Sequence, residues 1–313
     1  MTRLLITGIG GDIAQSVARV IRERHPSIEL VGVDTHGQHG GSLFVDEIHL
    51  LPLAHAADYF DRLEALLDNE RIDVVIPMTE PELSVLAPFI AKRQDLQWVT
   101  AGAKVIEIGV DKLKTIESIK SLGLPVPWTV MANEGPPPAF PCILKNRFGS
   151  GSRAVFIVKD QAEADYLASR HPDAVYQELL EPADQEVTCA VYRTRDGRVA
   201  TLQMLRKLVG GFTGWAKVID DKATSEMCAA IANGLGLHGS MNVQLRLTPE
   251  GPRVFEINPR FSSTVLMRDC VGFSDVSWVI DELEDRPVVF PDIKSGSIMV
   301  RTQGAAILTT LPE

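Results

Sequence analysis

Apolar and polar positions along the first hundred residues follow two alternating rhythms. Short continuous apolar runs, "RLLITGI", "ELVGVD" and "DVVIPM", read as buried strands. Between them, "IAQSVARVIRER", "YFDRLEALLDNE" and "ELSVLAPFIAKR" return an apolar residue every three or four places, the period of an amphipathic helix. Strands separated by helices predict a parallel, doubly wound sheet. From Asp111 the pattern changes. "DKLKTIESIKSLGLPVP" reads as a charged helix stopped by Gly123 and Pro125, and "NEGPPPAF" as a surface loop. The strands "PCILK" and "RAVFIVK" follow, separated by "RFGSGS". Beyond Tyr176, "EVTCAVYR", "GRVATLQML", "SMNVQLRLT" and "RVFEIN" predict strands, with helices around 224–235 and 274–284. No internal repeat interrupts this order.

Composition narrows the class. A chain of 313 residues can bury two or three separate cores. The formal net charge is −10, with Lys and Arg spread among acids, so the basic stripe expected of a nucleic-acid binder is missing. Cys142, Cys189, Cys228 and Cys270 lie far apart among apolar neighbours, as small buried thiols do in a reducing compartment. There is neither a signal-peptide pattern nor an apolar run of about 18 residues, so the expectation is a cytoplasmic protein without a membrane partner.

Two glycine-containing segments compete for the chemistry. "TGIGGDIA" (7–14) follows a strand and opens a helix, and Asp34 ends the next strand, so the unit approximates a dinucleotide-binding turn. It resembles the turn of sugar-nucleotide epimerases and reductases, but their Tyr-x-x-x-Lys pair is absent: Tyr59, Tyr166, Tyr176 and Tyr192 are followed four places on by Leu63, Arg170, Leu180 and Asp196. The same glycines also suit any first strand–helix unit. In the second segment, Lys145 ends an apolar strand before Gly149, Ser150, Gly151 and Ser152. A hairpin tip of that composition can fold N–H groups and hydroxyls over phosphates, with Lys145 as a fixed charge; a plain surface hairpin is the alternative.

Further on, "QELLEPADQEVT" can offer backbone groups to an adenine edge and a carboxylate to ribose, or be an exposed strand connection. "MNVQLRL" and "VFEINPR" flank the turn signal "TPEG" and should pair as a hairpin. Period two places Asn242, Gln244 and Arg246 on one face of the first strand, and Glu256, Asn258 and Arg260 on one face of the second. Gln244, Glu256 and Asn258 then converge as hard oxygen ligands of the kind that hold Mg²⁺ beside phosphates. Thr79 and Glu80 follow "DVVIPM" at a strand's carboxyl end, where open sheets bind ligands, although Thr79 is equally suited to cap a helix.

These four segments, in this order and spacing, resemble the ATP-grasp superfamily, closest to its carbamoyl-phosphate-synthase large-subunit-like branch, over about residues 1–303. The resemblance implies a mixed α/β and α+β architecture, an ATP-grasp fold preceded by a Rossmann-like parallel-sheet domain. Its parts are an N-terminal domain (1–105), a small lid subdomain (106–175) and a C-terminal subdomain carrying the Mg–ATP site (176–313). It implies that Lys112 and Lys145 contact phosphates beneath the Gly149–Ser152 loop, that Glu178 and the Leu180 backbone meet adenine, and that Glu186 meets ribose. Gln244, Glu256 and Asn258 hold Mg²⁺ or Mn²⁺, and Arg260, with Lys145, stabilises the transferring phosphoryl group. The implied activity is ATP-dependent ligation of a small-molecule carboxylate to an amine through an acyl phosphate. The alternatives are an ATP-binding module without turnover serving a partner complex and, less favoured, an NAD-dependent oxidoreductase. Oligomeric state stays open, a homodimer included. Two departures from the family stand out: Asn146 where relatives often carry proline, and Trp215, in the substrate-side loop "GGFTGWAKV", where many carry a basic residue.

Overall fold

The computed structural model describes residues 2–149 and 155–308. Its first sheet is parallel, in the order β3-β2-β1-β4-β5, with β1 (Arg3–Thr7), β2 (Glu29–Asp34), β3 (Glu47–Leu50), β4 (Val74–Ile76) and β5 (Gln97–Trp98). Helix α1 (Asp12–Arg24) and helix α2 (Tyr59–Asn69) follow the predicted periodicity. The stretch "ELSVLAPFIAKR" does not form one helix. It breaks at Leu86 into α3 (Glu80–Val85) and α4 (Ala87–Lys92), because Pro88 has no N–H to continue the ladder and instead occupies the first turn of the second helix. Strands β3 and β5 are short and carried no sequence signal of their own.

Helix α5 (Ala103–Gly109) leads into α6 (Lys112–Ser121), which begins at an Asp111 cap accepting from the Leu113 and Lys114 N–H groups. A small antiparallel sheet follows, in the order β6-β9-β7-β8, with β6 (Thr129–Met131), β7 (Cys142–Asn146), β8 (Val155–Val158) and β9 (Ala174–Glu178). Helix α7 (Gln161–Arg170) crosses between β8 and β9. Because β9 pairs in this sheet, the sheet runs three residues past the 175 boundary drawn from the sequence.

The third sheet is antiparallel, in the order β14-β13-β10-β11-β12-β15. It comprises β10 (Glu186–Arg193), β11 (Val199–Val209), β12 (Phe212–Ile219), β13 (Gly239–Thr248), β14 (Gly251–Asn258) and β15 (Ile298–Val300). Helix α8 (Lys222–Leu235), with α5, covers one face through Val187, Cys189, Val191, Met241 and Val243. On the other face the residues divide by height. Ala190, Tyr192, Leu202 and Met204 join a core shared with α1, β1, α9 (Val265–Cys270) and α10 (Asp275–Leu283). Residues further along the same strands are polar and face a cavity. The segment "GGFTGW", expected as a loop, is a hairpin: Gly210 and Gly211 turn at φ of 59° and 84°, which favours glycine at both central positions.

Candidate nucleotide and ligation site

A cavity of about 500 Å³ lies where the three sheets meet. Helix α6 contributes Lys112, β7 and the residues after it Lys145, Asn146, Phe148 and Gly149, and the large sheet Arg206, Asn242, Gln244, Glu256 and Asn258. Arg260, Ser262 and Ser263 follow β14, while Ile13, Glu80 and Pro81 project from the parallel-sheet domain. Four cations thus face two carboxylates, a balance that favours an anionic guest.

Lys145 is 5% exposed. Its Nζ donates to the Phe255 carbonyl at 3.1 Å and lies 5.5 Å from that ring. Burial pushes its pKa down to about 8; Glu256 and Glu186 pull it upward, while Lys112 adds to the depression. The Phe255 carbonyl is available because β14 bulges there: Gln244 pairs with Glu256 but Leu245 with Val254, leaving Phe255 unmatched. The bulge also resets the alternation, so Val254 and Ile257 both enter the core under α8 while Glu256 and Asn258 face the cavity. Lys112 donates to the Gly149 carbonyl at 2.5 Å. Asp111, which caps α6, also grips Arg147 through two bonds of 2.9 and 2.7 Å, tying the start of the glycine-rich segment to the helix that carries Lys112. Burial opposes ionisation of Asp111, but the Arg147 hydrogen bonds and backbone donors outweigh it and hold its pKa below the ordinary value. Of the glycine-rich loop only Gly149 can be placed here; Ser150, Gly151 and Ser152 lie outside the described residues.

The hairpin expected around "TPEG" forms, and its register sets Gln244 opposite Glu256 and Asn242 opposite Asn258. The expected ligand set is only partly presented. Asn258 Nδ2 donates to Glu256 Oε1 at 3.4 Å, whereas Gln244 Oε1 accepts from Arg206 at 2.9 Å. Gln244 is therefore committed to a guanidinium in this state. Glu256 and Asn258 supply one carboxylate and one amide oxygen, which fits Mg²⁺, a cation that keeps most of its shell as water and phosphate oxygens.

Three expected nucleotide contacts are not among the residues that line this cavity: Glu178, Leu180 and Glu186. The Glu178 carboxylate accepts from Arg253 at 2.7 and 2.8 Å and from the Trp128 N–H at 3.1 Å, so its side chain staples β9 to β14. Glu186 sits between Arg206 and Arg246, at 2.8 Å from each. Trp215 pairs with Lys207, on the face of β12 opposite Arg206, and carries the Lys207 ammonium 5.9 Å from its ring; it does not line the cavity. The sequence reading missed Arg206, which reaches both Glu186 and Gln244; nothing in "LRKLVGG" singles it out before the strand alternation is known.

At the domain edge, Thr79 caps α3 and is not among the residues that line the cavity, whereas Glu80 is. Arg260 Nη2 donates to Glu80 at 3.3 Å and Nη1 to the Phe261 carbonyl at 2.9 Å, while its buried Nε has no partner. On its other side Arg260 borders a second cavity of about 310 Å³ beneath β4 and β5. The glycine turn is closed on itself. Asp34 accepts from the Gly10 N–H at 2.8 Å, and a Cβ at Gly10 would meet the His39 ring at 2.5 Å. The acid that a dinucleotide ribose requires is thus spent on the turn, which removes the main support for NAD. His39, in the histidine pair of "HGQH", packs into that turn with its Nδ1 accepting from the Gly41 N–H.

Residues 110–264 match the ATP-grasp domain family, and residues 4–99 match the N-terminal domain of PylC-like proteins. The chain belongs to the ATP-grasp superfamily. Its ATP-grasp domain is preceded by a PylC-like N-terminal domain. It is 24% identical over 258 residues to the carbamoyl phosphate synthase large chain of Thermoplasma acidophilum, a match covering 73% of this chain and 24% of that one. The Campylobacter jejuni large chain is also 24% identical, over 66% of this chain and 21% of that one. The chain therefore spans about a quarter of the length of these curated relatives. Among solved structures, an ADP complex of purK, N5-carboxyaminoimidazole ribonucleotide synthetase, superposes with TM-score 0.78 at 17% identity, covering 96% of this chain and 81% of that one. The Thermus thermophilus enzyme of the same name gives 0.76 at 18% identity, covering 95% and 82%. The shared fold is a parallel-sheet domain followed by the antiparallel ATP-grasp domain.

Proposed function

We propose that this protein is an ATP-dependent ligase that joins a small-molecule carboxylate to an amine through an acyl phosphate. The observation that carries the reading is the single cavity in which buried Lys112 and Lys145, the Glu256–Asn258 oxygens and Arg260 converge from three sheets. In this reading the lysines bind the triphosphate, and Glu256 and Asn258 hold Mg²⁺, with Gln244 joining once Arg206 releases it. Bound magnesium would supply charge neutralisation along the phosphates. Leu180 offers its backbone to adenine and Glu186 its carboxylate to ribose. Arg260 faces the carboxylate as it gains the γ-phosphoryl group, where a fixed guanidinium stabilises developing charge. An amine then displaces phosphate, and no protein nucleophile is needed.

The four free cysteines, three of them buried, support a reducing compartment such as the cytoplasm. Among the described residues no helix is long and apolar enough to cross a membrane. The test is phosphate release from MgATP in the presence of bicarbonate or of each standard amino acid, singly and in pairs. Thermal shifts run alongside with MgADP and with NAD. Stabilisation by MgADP together with carboxylate-dependent phosphate release is expected; stabilisation by NAD alone would defeat the reading.

A further inference from the structure

The Arg260–Glu80 contact is looser than three other buried or partly buried ion pairs of this protein. Arg147–Asp111, Arg253–Glu178 and Arg268–Asp275 are all two-pronged, with bonds of 2.7 to 2.9 Å. Arg260 and Glu80 share one bond of 3.3 Å, although each is only 11% exposed. Both groups hold capacity in reserve. The Arg260 Nε is buried and unpartnered, and among the described residues Glu80 takes no second side-chain donor. A single long charge-assisted bond is weaker than a two-pronged one and is more readily exchanged for another partner. The two residues also come from different domains: Glu80 opens α3 behind the parallel sheet, and Arg260 follows β14.

Position separates the two carboxylates of the cavity. Glu256 stands beside Asn258 and within reach of the charge on Lys145, on the phosphate side. Glu80 enters the cavity from the parallel-sheet domain, with Ile13 and Pro81 beside it, and its side-chain partner is Arg260 instead of the Lys145 charge. An amine arrives as an ammonium ion, must find a carboxylate in this partly buried space, and must lose a proton before it can attack.

We propose that Glu80 docks the ammonium of the amine substrate and takes its proton, and that Arg260 restrains Glu80 until the acyl phosphate draws the guanidinium away. The inference rests on the ligase reading above. In the step itself, the ammonium gives one proton to Glu80 and its nitrogen lone pair attacks the acyl carbon. A C–N bond forms and the C–O bond to phosphate breaks. The phosphate leaves with the electron pair and takes the second nitrogen proton, and Glu80 returns its proton to solvent.

Hydroxylamine separates the two halves of the reaction, because it is largely neutral near neutral pH and traps acyl phosphates without a base. With a standard amino acid as the carboxylate, Glu80→Gln should keep hydroxamate formation within a few-fold of the unaltered protein. Its ligation to lysine or ammonium should fall about a hundredfold or more, and Glu80→Asp should recover part of that loss. A second readout needs no ligation substrate: with MgADP bound, Glu80→Gln should bind inorganic phosphate several-fold more tightly, since Arg260 is released, while MgADP affinity is unchanged. Equal loss of hydroxamate and amide, or unaltered phosphate affinity, would overturn the assignment of Glu80. Absence of any hydroxamate and of MgADP binding in the unaltered protein would instead overturn the ligase reading and the inference with it.

Discussion

Lys145 shows how one residue's chemistry depends on where it is buried. Its pKa is held down to about 8 from an ordinary 10.5, chiefly by loss of solvent. Between those values the unfolded chain binds the proton more tightly, so the apoprotein gains stability as pH rises through that window. Nucleotide phosphates favour the charged form, and binding therefore takes up protons near and above pH 8. MgADP affinity should fall as pH rises through that value. Calorimetry in buffers of different ionisation enthalpy measures the uptake, and Lys145→Ala should abolish it; identical heats in all buffers would refute the assignment. Glu256→Gln should cut MgATP-dependent turnover severely with stability changed by no more than about 0.5 kcal/mol, because its side chain is half-buried and, among the described residues, its one side-chain hydrogen bond is that of 3.4 Å from Asn258. Urea melts paired with phosphate release check both parts.

At the scale of elements, three segments pack to aim the site residues. The β14 bulge presents a carbonyl to Lys145 and turns Glu256 into the cavity. The Asp111 cap ties α6 to Arg147. The end of α5 presses on Pro259, between Asn258 and Arg260: a Cβ at Gly109 would meet the Pro259 ring at 2.8 Å. Gly109→Ala should therefore cost about 1–3 kcal/mol through overpacking and push the Asn258–Arg260 turn out of place. Turnover should drop more than MgADP affinity, since Lys112 and Lys145 are carried by other elements. A variant with unaltered stability and turnover would show that the contact relaxes freely.

Across the whole molecule, the parallel-sheet domain and the large sheet are not independent units. Ile6, Val17, Tyr192, Met204 and Trp278 belong to one core, in which α1 meets α9 and α10. Arg24–Asp269 and Arg301–Asp12 cross the same boundary at 2.8 and 2.7 Å. Scanning calorimetry should show these two parts unfolding together in one transition, shifted upward by MgADP, with about 2.7 kcal/mol expected at a hundredfold excess over Kd. A parallel-sheet domain melting separately and insensitive to nucleotide would contradict this.

The amino-acid order alone determined β1, β2, β4, α1 and α2, the hairpin around "TPEG", and the placement of Glu256 and Asn258 on one face, because period and turn chemistry act over a few residues. It also contained the order of segments that marks the ATP-grasp superfamily. Which partner each side chain takes was decided only in three dimensions. Glu178 lies 75 residues from Arg253 in sequence, Gln244 lies 38 from Arg206, and Arg260 lies 180 from Glu80. The same holds for Trp215, whose face depends on its pairing with Lys207, and for the glycine turn, whose Asp34 closes on Gly10. A carboxylate or guanidinium is satisfied by whichever opposite charge the packed sheets bring within about 3 Å. That choice depends on strand register and domain contact, which no local pattern encodes.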